Sequence, residues 1–198
     1  MNKRSYGFTL IELMITLAVF ALLLMVGLPS MTTWVQNQQV RTSAEGLQAG
    51  LQFARAEALR RNTAVRFQLV DTLTPACVLI DSGTSWVVSM NDPTGLCDVA
   101  ESDIVDPLTI QKRSGAEGTP NAVVRGLSGA VAATTVTFNG LGRVTGAGAI
   151  TQINVTNTSG GNCQPAGPMR CLRLNISSGG QVRMCDPAVA DNTDPRFC

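Results

Sequence analysis

The 198-residue sequence contains no histidine. Histidine is the commonest general base near neutral pH and a frequent zinc ligand, so a Ser–His–Asp centre and histidine-containing zinc sites are excluded. A phosphate-binding glycine loop and a pair of carboxylates at helical spacing are also missing from the sequence. We therefore expect a protein that is not an enzyme and that uses no cofactor and no metal.

The sequence also lacks a strong charge of one sign, since 15 basic and 14 acidic residues give a net charge of +1. The charges are nevertheless uneven along the chain. Five Arg and two Glu give +3 over residues 41–66, two basic and eight acidic residues give −6 over 67–118, and five Arg and three Asp give +2 over 141–198. A solvated mixed surface explains this pattern better than a docking surface specified by charge.

The acidic middle of the chain includes Asp98, Glu101, Asp103 and Asp106, which fall in one predicted loop. Carboxylate oxygens are suitable calcium ligands, but these residues do not have the spacing of a known calcium-binding loop. A solvated acidic loop is therefore the better interpretation.

The sequence has no Cys-x-x-Cys pair, and a zinc site built from cysteines alone would need such short spacings. An even number of cysteines in a domain outside the cytoplasm instead predicts three disulfides formed in an oxidising compartment. The six candidates are Cys77, Cys97, Cys163, Cys171, Cys185 and Cys198.

The spacing of the cysteines favours some pairings without deciding among the 15 that six cysteines allow. Cys77 and Cys97 bracket a predicted hairpin around Trp86, and a bond between them would stabilise the fold by about 3 kcal/mol.

A second predicted hairpin concerns the other four cysteines. A four-residue turn would place Ile176 opposite Gln181, which makes Cys171 and Cys185 near neighbours and leaves Cys163 to join Cys198. The alternative pairs Cys163 with Cys171 and Cys185 with Cys198 in two local loops, and the sequence leaves both open.

One long apolar run is present at residues 8–28, where Glu12 is the only charged residue. At about 1.5 Å per residue, 21 helical residues span roughly 30 Å, the thickness of a bilayer core. Lys3 and Arg4 in the leader, residues 1–7, predict that this end stays in the cytoplasm. A charge within such a run is costly, so Glu12 needs a partner that the run itself cannot supply.

Helical periodicity continues over residues 29–62 as an amphipathic segment. Arg60, Arg61 and Asn62 suit a helix C-terminus, and a kink or unwound stretch is expected near Gly27 and Pro29 because proline removes a helical hydrogen bond. The predicted apolar stripe consists of Val40, Ala44, Leu47, Leu51, Ala54 and Ala58.

Residues 63–198 read as a disulfide-bonded, β-rich globular domain because short alternating runs are separated by glycine-rich turns. One predicted hairpin joins residues 77–80 to residues 86–90. The other predicted strands are residues 64–70, 108–111, 122–124, 134–138, 150–155, 171–176 and 181–184.

Residues 7–12 (GFTLIE), between a basic leader and an apolar run, resemble the processing site of type IV pilins and type II secretion pseudopilins. The resemblance implies that a prepilin peptidase cleaves after Gly7 and that the new N-terminal residue, Phe8, is methylated. It also implies that Glu12 pairs with the N-terminal amine of a neighbouring subunit.

Residues 53–58, 86–89 and 136–143 resemble the GspH/FimT family, and residues 170–174 and 179–187 resemble its FimT/FimU minor-pilin branch. The implied fold is α+β, with a long N-terminal helix packed on antiparallel β-sheets. The implied function is that of a minor pilin in the initiation, assembly or tip of a type IV pilus, and the alternative is an H-type pseudopilin of type II secretion.

The same resemblance implies where the protein works and with what. The protein would cross the inner membrane once, with its globular domain in the periplasm or in an extracellular pilus. Its partners would be the prepilin peptidase, the major pilin, other minor pilins, the inner-membrane assembly platform and the membrane.

DNA binding is a third hypothesis, because some FimT-type minor pilins bind DNA through a C-terminal Gly-Arg-x-Arg motif. Residues 180–183 (GQVR) match only its second arginine. The candidate contacts with DNA phosphates are Arg170, Arg173, Arg183 and Arg196. Nearby Asp residues would repel the DNA phosphates, and no aromatic residue lies between these arginines before Phe197 to stack on a base. Arginines that solvate the edge of a strand are therefore the better interpretation.

Overall fold

The computed structural model describes residues 8–115, 117 and 119–198. Within the first range, it describes only the backbone of residues 24 and 26–30. Gly7, the predicted cleavage site, lies outside the described residues. The elements in chain order are α1 (Leu10–Arg61), β1 (Val65–Val70), β2 (Ser85–Ser89), β3 (Thr109–Arg113), β4 (Val123–Ser128), β5 (Val131–Ala132), β6 (Thr135–Phe138), β7 (Val144–Thr145), β8 (Gln152–Thr156), β9 (Leu172–Ile176) and β10 (Val182–Cys185), with a 3₁₀ turn at Thr158–Gly160.

The strands form two antiparallel sheets that share α1 as a packing partner. The first sheet has the order β3-β2-β1-β6-β7 and the second has the order β10-β9-β8-β4-β5. The C-terminal half of α1 contacts strands of both sheets. This arrangement confirms the predicted α+β fold, a long N-terminal helix on antiparallel sheets.

The apolar stripe of α1 forms the centre of the core, as its periodicity predicts. Every one of its six residues is at most 1% exposed. Small residues of the stripe, and Gly50 beside it, let the sheet come close to the helix. A Cβ on Gly50 would lie 2.9 Å from ring atoms of both Phe67 and Trp86. Asn62 ends the helix in the left-handed conformation, with φ of 50°, as expected for a C-cap.

The backbone of α1 is helical without a break through Gly27 and Pro29. The described backbone therefore has no unwound stretch there, and the other alternative, a kink within the helix, stays a prediction. Proline removes one hydrogen bond, and the flanking turns of the helix continue on both sides of it. Among the described residues, no helix combines the length and the apolarity needed to cross a membrane.

The predicted hairpin between residues 77–80 and 86–90 is wrong. β2 lies between β1 and β3, where Leu69 is opposite Trp86, and only Leu79 of the earlier segment forms an isolated bridge, with Val70. All five residues of β2 are buried, so its backbone N–H and C=O groups need hydrogen-bond partners on both edges. β1 and β3 supply these partners over more residues than the segment 77–80 could. Residues 71–84 instead pack over the first sheet, where Cys77 and Cys97 join a second small core.

The six cysteines form three disulfides, Cys77–Cys97, Cys163–Cys171 and Cys185–Cys198. The interpretation that made Cys171 and Cys185 near neighbours is thus wrong, and the alternative of two local loops is correct.

The cause of this difference is the turn between β9 and β10. The Ser177 N–H donates to the Gln181 carbonyl at 3.0 Å, and Gly180, with φ of 78°, lies between these two residues; Ile176 therefore lies opposite Val182, not Gln181, and Cys185 lies opposite Arg173. Cys171 is then a diagonal neighbour of Cys185, and such residues are about 7–8 Å apart, too far for a disulfide.

Candidate functional site

Glu12 lies in the first turn of α1, where it forms a capping box with Thr9. Its carboxylate accepts hydrogen bonds from the Thr9 N–H at 3.2 Å and from the Thr9 hydroxyl at 3.1 Å, and its own N–H donates to the Thr9 hydroxyl at 3.3 Å. The sequence signal for this role is a Thr followed three residues later by Glu. Among the described residues, no cation pairs with this carboxylate.

The side chains around Glu12 are apolar and exposed on every face of the helix. Phe8 is 84% exposed and Leu10 is 77% exposed. The same holds for Ile11, Leu13, Met14, Ile15, Leu17, Val19, Phe20, Leu22 and Leu23. An apolar surface this large on one chain marks a site that another protein or a membrane covers.

A cluster of charges ties the acidic loop to the end of α1. Glu57 accepts hydrogen bonds from Arg60 at 2.7 Å and Arg61 at 2.9 Å, and Arg61 also donates to Asp103 at 2.5 Å. The hydrogen bond from Arg60 is the largest cause that lowers the Glu57 pKa from 4.5 to about 2. Arg60 and Arg61 therefore do more than suit the helix C-terminus, because with Glu57 they hold the acidic loop through Asp103.

The four candidate DNA contacts differ in their availability. Arg183 donates to the carbonyls of Pro195 at 2.9 Å and Phe197 at 2.6 Å, which holds the C-terminal tail against β10. Arg173 donates to Asn154 at 2.8 Å.

The other two arginines differ in whether an acidic residue pairs with them. Arg196 forms an ion pair with Asp194 at 2.7 Å, which lowers the Asp194 pKa to about 2. Arg170 is exposed, and the described contacts of its side chain include no ion pair. Of the four candidates, Arg170 is therefore the one whose guanidinium has no ion pair with the described residues.

A groove of about 460 Å³ runs between α1 and the C-terminal hairpin with its tail. We call it the helix–tail groove, and its principal residues are Trp34, Arg41, Arg170, Leu172, Met184 and Arg196. The structure thus brings Arg170 and Arg196 together with a tryptophan from the helix. Sequence reasoning missed Trp34, because it lies 170 − 34 = 136 residues before Arg170.

Comparison with protein families identifies the chain. The profile described as "Type II transport protein GspH" matches residues 43–188, which is 188 − 43 + 1 = 146 of the 198 residues. The chain belongs to the GspH family. The profile of the prokaryotic N-terminal methylation motif matches residues 2–28, so this GspH-family chain carries the N-terminus of a type IV pilin-like protein or pseudopilin.

Two solved structures resemble this GspH-family chain, both crystal forms of the type IV minor pilin FimU of Pseudomonas aeruginosa strain PAO1. The form in space group P65 has a TM-score of 0.45 and 17% identity over 73% of this chain and 90% of FimU. The form in P21 has a TM-score of 0.46 and 18% identity over 76% and 91%. Curated proteins yield no significant match to this chain.

Proposed function

We propose that this protein is a minor pilin that helps to initiate, assemble or cap a type IV pilus. A prepilin peptidase cleaves it after Gly7, Phe8 is methylated, and residues 8–28 anchor it in the inner membrane with residues 63–198 in the periplasm. Once it leaves the membrane, the same helix packs among the helices of the major pilin and other minor pilins.

One observation carries this proposal: the N-terminal turns of α1 expose apolar side chains on all faces around a carboxylate that has no cationic partner among the described residues. A bilayer or a helix bundle would cover the apolar surface. The new N-terminal amine of a neighbouring subunit would supply the missing charge, because a paired charge is penalised far less than a lone buried one.

The test compares Glu12→Ala with Glu101→Ala in cells that assemble pili. Glu101 is an exposed carboxylate of the globular domain without an ion pair among the described contacts, so it controls for the loss of one negative charge. We expect Glu12→Ala to lower the amount of protein in sheared pili about tenfold, which corresponds to about 1.4 kcal/mol, and Glu101→Ala to leave it unchanged.

Both variants should keep the free energy of unfolding of the globular domain within about 0.5 kcal/mol of wild type, because both carboxylates are exposed. Normal incorporation of the Glu12→Ala protein would remove the proposed role of this carboxylate.

The second candidate function is an H-type pseudopilin of a type II secretion system, favoured by the description of the family whose profile matches residues 43–188. A deletion separates the two functions, since loss of twitching motility supports the pilus and loss of protein secretion supports the secretion system. DNA binding is not part of the proposal, because Arg173 and Arg183 are already engaged within the chain.

A further inference from the structure

The helix–tail groove lies close to the end of the apolar run. Trp34 follows residue 28 by six residues, or about 9 Å of helix, and Asn37 follows it by nine, or about 14 Å. The Asn37 side chain accepts a hydrogen bond from the Arg170 N–H at 2.7 Å, so Arg170 is held at the same level. A bilayer extends about 5–8 Å beyond its hydrocarbon core on each side, so the backbone of Trp34 lies about 1–4 Å beyond the headgroup layer and the level of Arg170 about 6–9 Å beyond it. Helix side chains tilt toward the N-terminus, here toward the membrane.

The side chains of the groove suit a ligand with an anionic head and an apolar body. The Trp34 ring is 62% exposed, although a tryptophan of this size is usually well covered in a folded protein. Leu172 and Met184 lie beside it and are partly buried. Tryptophan is favoured where an apolar environment meets water, as it does at the surface of a membrane.

Acidic residues pair with two of the three arginines that line the groove, and Asp194 holds Arg196 at 2.7 Å. Glu45 is paired with Arg41 at 2.8 Å. Asp186 is only 6% exposed, and its carboxylate accepts a hydrogen bond from the Ala188 N–H at 2.9 Å. Arg170 therefore remains a cation without an ion pair among the described contacts. It lies beside the part of the packed half of α1 that is nearest to the membrane.

We propose that the helix–tail groove binds the headgroup of an anionic phospholipid in the membrane that anchors α1. The Arg170 guanidinium would donate to the lipid phosphate, and the Trp34 ring would lie in the headgroup layer. This contact would fix the orientation of the globular domain over the membrane before the subunit joins a filament. The inference rests on the proposed membrane placement of residues 8–28.

The experiment uses the full chain in lipid nanodiscs, with tryptophan fluorescence quenched by a spin label on the lipid headgroup. The chain has two tryptophans, and Trp86 is only 3% exposed in the core, so a Trp34→Phe variant supplies the background signal. We expect Trp34 to be quenched in discs that contain phosphatidylglycerol and little in discs of phosphatidylcholine alone.

The decisive variant is Arg170→Glu, and its matched control is Arg143→Glu. Arg143 is also exposed, but it lies near Gly142, which accepts a hydrogen bond from Arg55, 18 residues or about 27 Å farther along α1 than Asn37. For Arg170→Glu, half-maximal quenching should need at least about fivefold more phosphatidylglycerol, while Arg143→Glu should behave as wild type.

Equal quenching in the two kinds of disc, or an Arg170→Glu variant that behaves as wild type, would overturn the lipid site while leaving the proposed pilin function intact. So would displacement by inorganic phosphate at constant ionic strength, which indicates a free phosphate site. A change of Trp34 emission with single-stranded DNA in phosphatidylcholine discs would reassign the groove to nucleic acid. A chain that does not insert into either disc would contradict the membrane placement itself.

Discussion

Asn37 and Arg170 are joined by a hydrogen bond of 2.7 Å from the backbone N–H of Arg170 to the Asn37 side-chain oxygen. The bond connects the middle of α1 to the strand pair that carries the C-terminal tail. Nearby, the Asn157 amide donates to the Gln36 side-chain oxygen and extends this connection to the end of β8. The two contacts join α1 to the second sheet beside the helix–tail groove.

The two glycines in the packed half of α1 predict opposite responses to alanine. A Cβ at Gly50 would meet the rings of Phe67 and Trp86, which have no room to move, so Gly50→Ala should lower the free energy of unfolding by about 1–3 kcal/mol. A Cβ at Gly46 would meet only the end of the flexible Arg113 side chain, at 2.7 Å.

Gly46→Ala is therefore the matched control, and the higher helix propensity of alanine should leave stability unchanged or raise it by up to about 1 kcal/mol. Denaturant unfolding of both variants measures the difference. Equal effects of the two substitutions would contradict the packing of α1 on the first sheet.

The disulfides predict a specific peptide map. Digestion of the non-reduced protein should release linked peptides for Cys163–Cys171 and Cys185–Cys198, and a thiol probe should label no cysteine of the denatured, non-reduced chain. Replacing both Cys77 and Cys97 by serine should cost about 2–5 kcal/mol, as loss of a native disulfide typically does. A peptide that links Cys171 to Cys185 would contradict the register of the last hairpin.

The cluster at the end of α1 predicts how stability depends on pH. The Glu57 pKa is lowered from 4.5 to about 2, chiefly by the hydrogen bond from Arg60. A carboxyl group with a lower pKa in the folded state stabilises the fold above its unfolded pKa, and this contribution is lost as pH falls through the folded pKa. Glu57 should therefore contribute fully above about pH 4.5 and lose its contribution between pH 4.5 and about 2.

Glu57→Gln should lower the free energy of unfolding at pH 7 by about 1 kcal/mol and reduce its pH dependence within that window. Glu45→Gln removes an exposed pair and should change stability by less than about 0.5 kcal/mol. Thermal unfolding at several pH values measures both. An unchanged pH profile for Glu57→Gln would show that this cluster does not stabilise the fold.

DNA binding, if measured by fluorescence anisotropy with duplex DNA, should be weak and should fall steeply as salt rises. Gln181→Arg should strengthen it by restoring the motif. Arg170→Ala should lower the salt slope by about 1, as expected for the loss of one phosphate contact, while Arg173→Ala should change it little because Arg173 is engaged by Asn154. Tight DNA binding that persists at moderate salt and survives both Arg170→Ala and Arg183→Ala would contradict the expectation of weak binding through phosphate contacts.

The parts of the fold that depend on local pattern could be predicted from the sequence. The spacing of Val40, Ala44 and Leu47 places them on one helix face, and that face is buried. The alternation of Val65, Phe67 and Leu69 likewise predicts β1, where all three are fully buried. These patterns succeed because the period of the backbone alone decides which side chains share a face.

The parts that depend on register or on long-range contact could not be predicted. A shift of one residue in the register at the turn of residues 177–181 changes every pair of the last hairpin, and no periodicity shows it in advance. The placement of Trp34 and Arg170 in one groove depends on how α1 lies against the second sheet. The same is true of Arg61 and Asp103, which are 42 residues apart.

The central claim, that this GspH-family chain is processed and assembled as a pilin, is tested most directly by the mass of its mature N-terminus. The protein would be purified from membranes and its N-terminal peptide analysed by mass spectrometry. We expect a chain that begins at Phe8 and carries one added methyl group. A mature chain that begins beyond residue 28 would contradict it, because the apolar helix would then be removed and could neither anchor the protein nor pack in a filament.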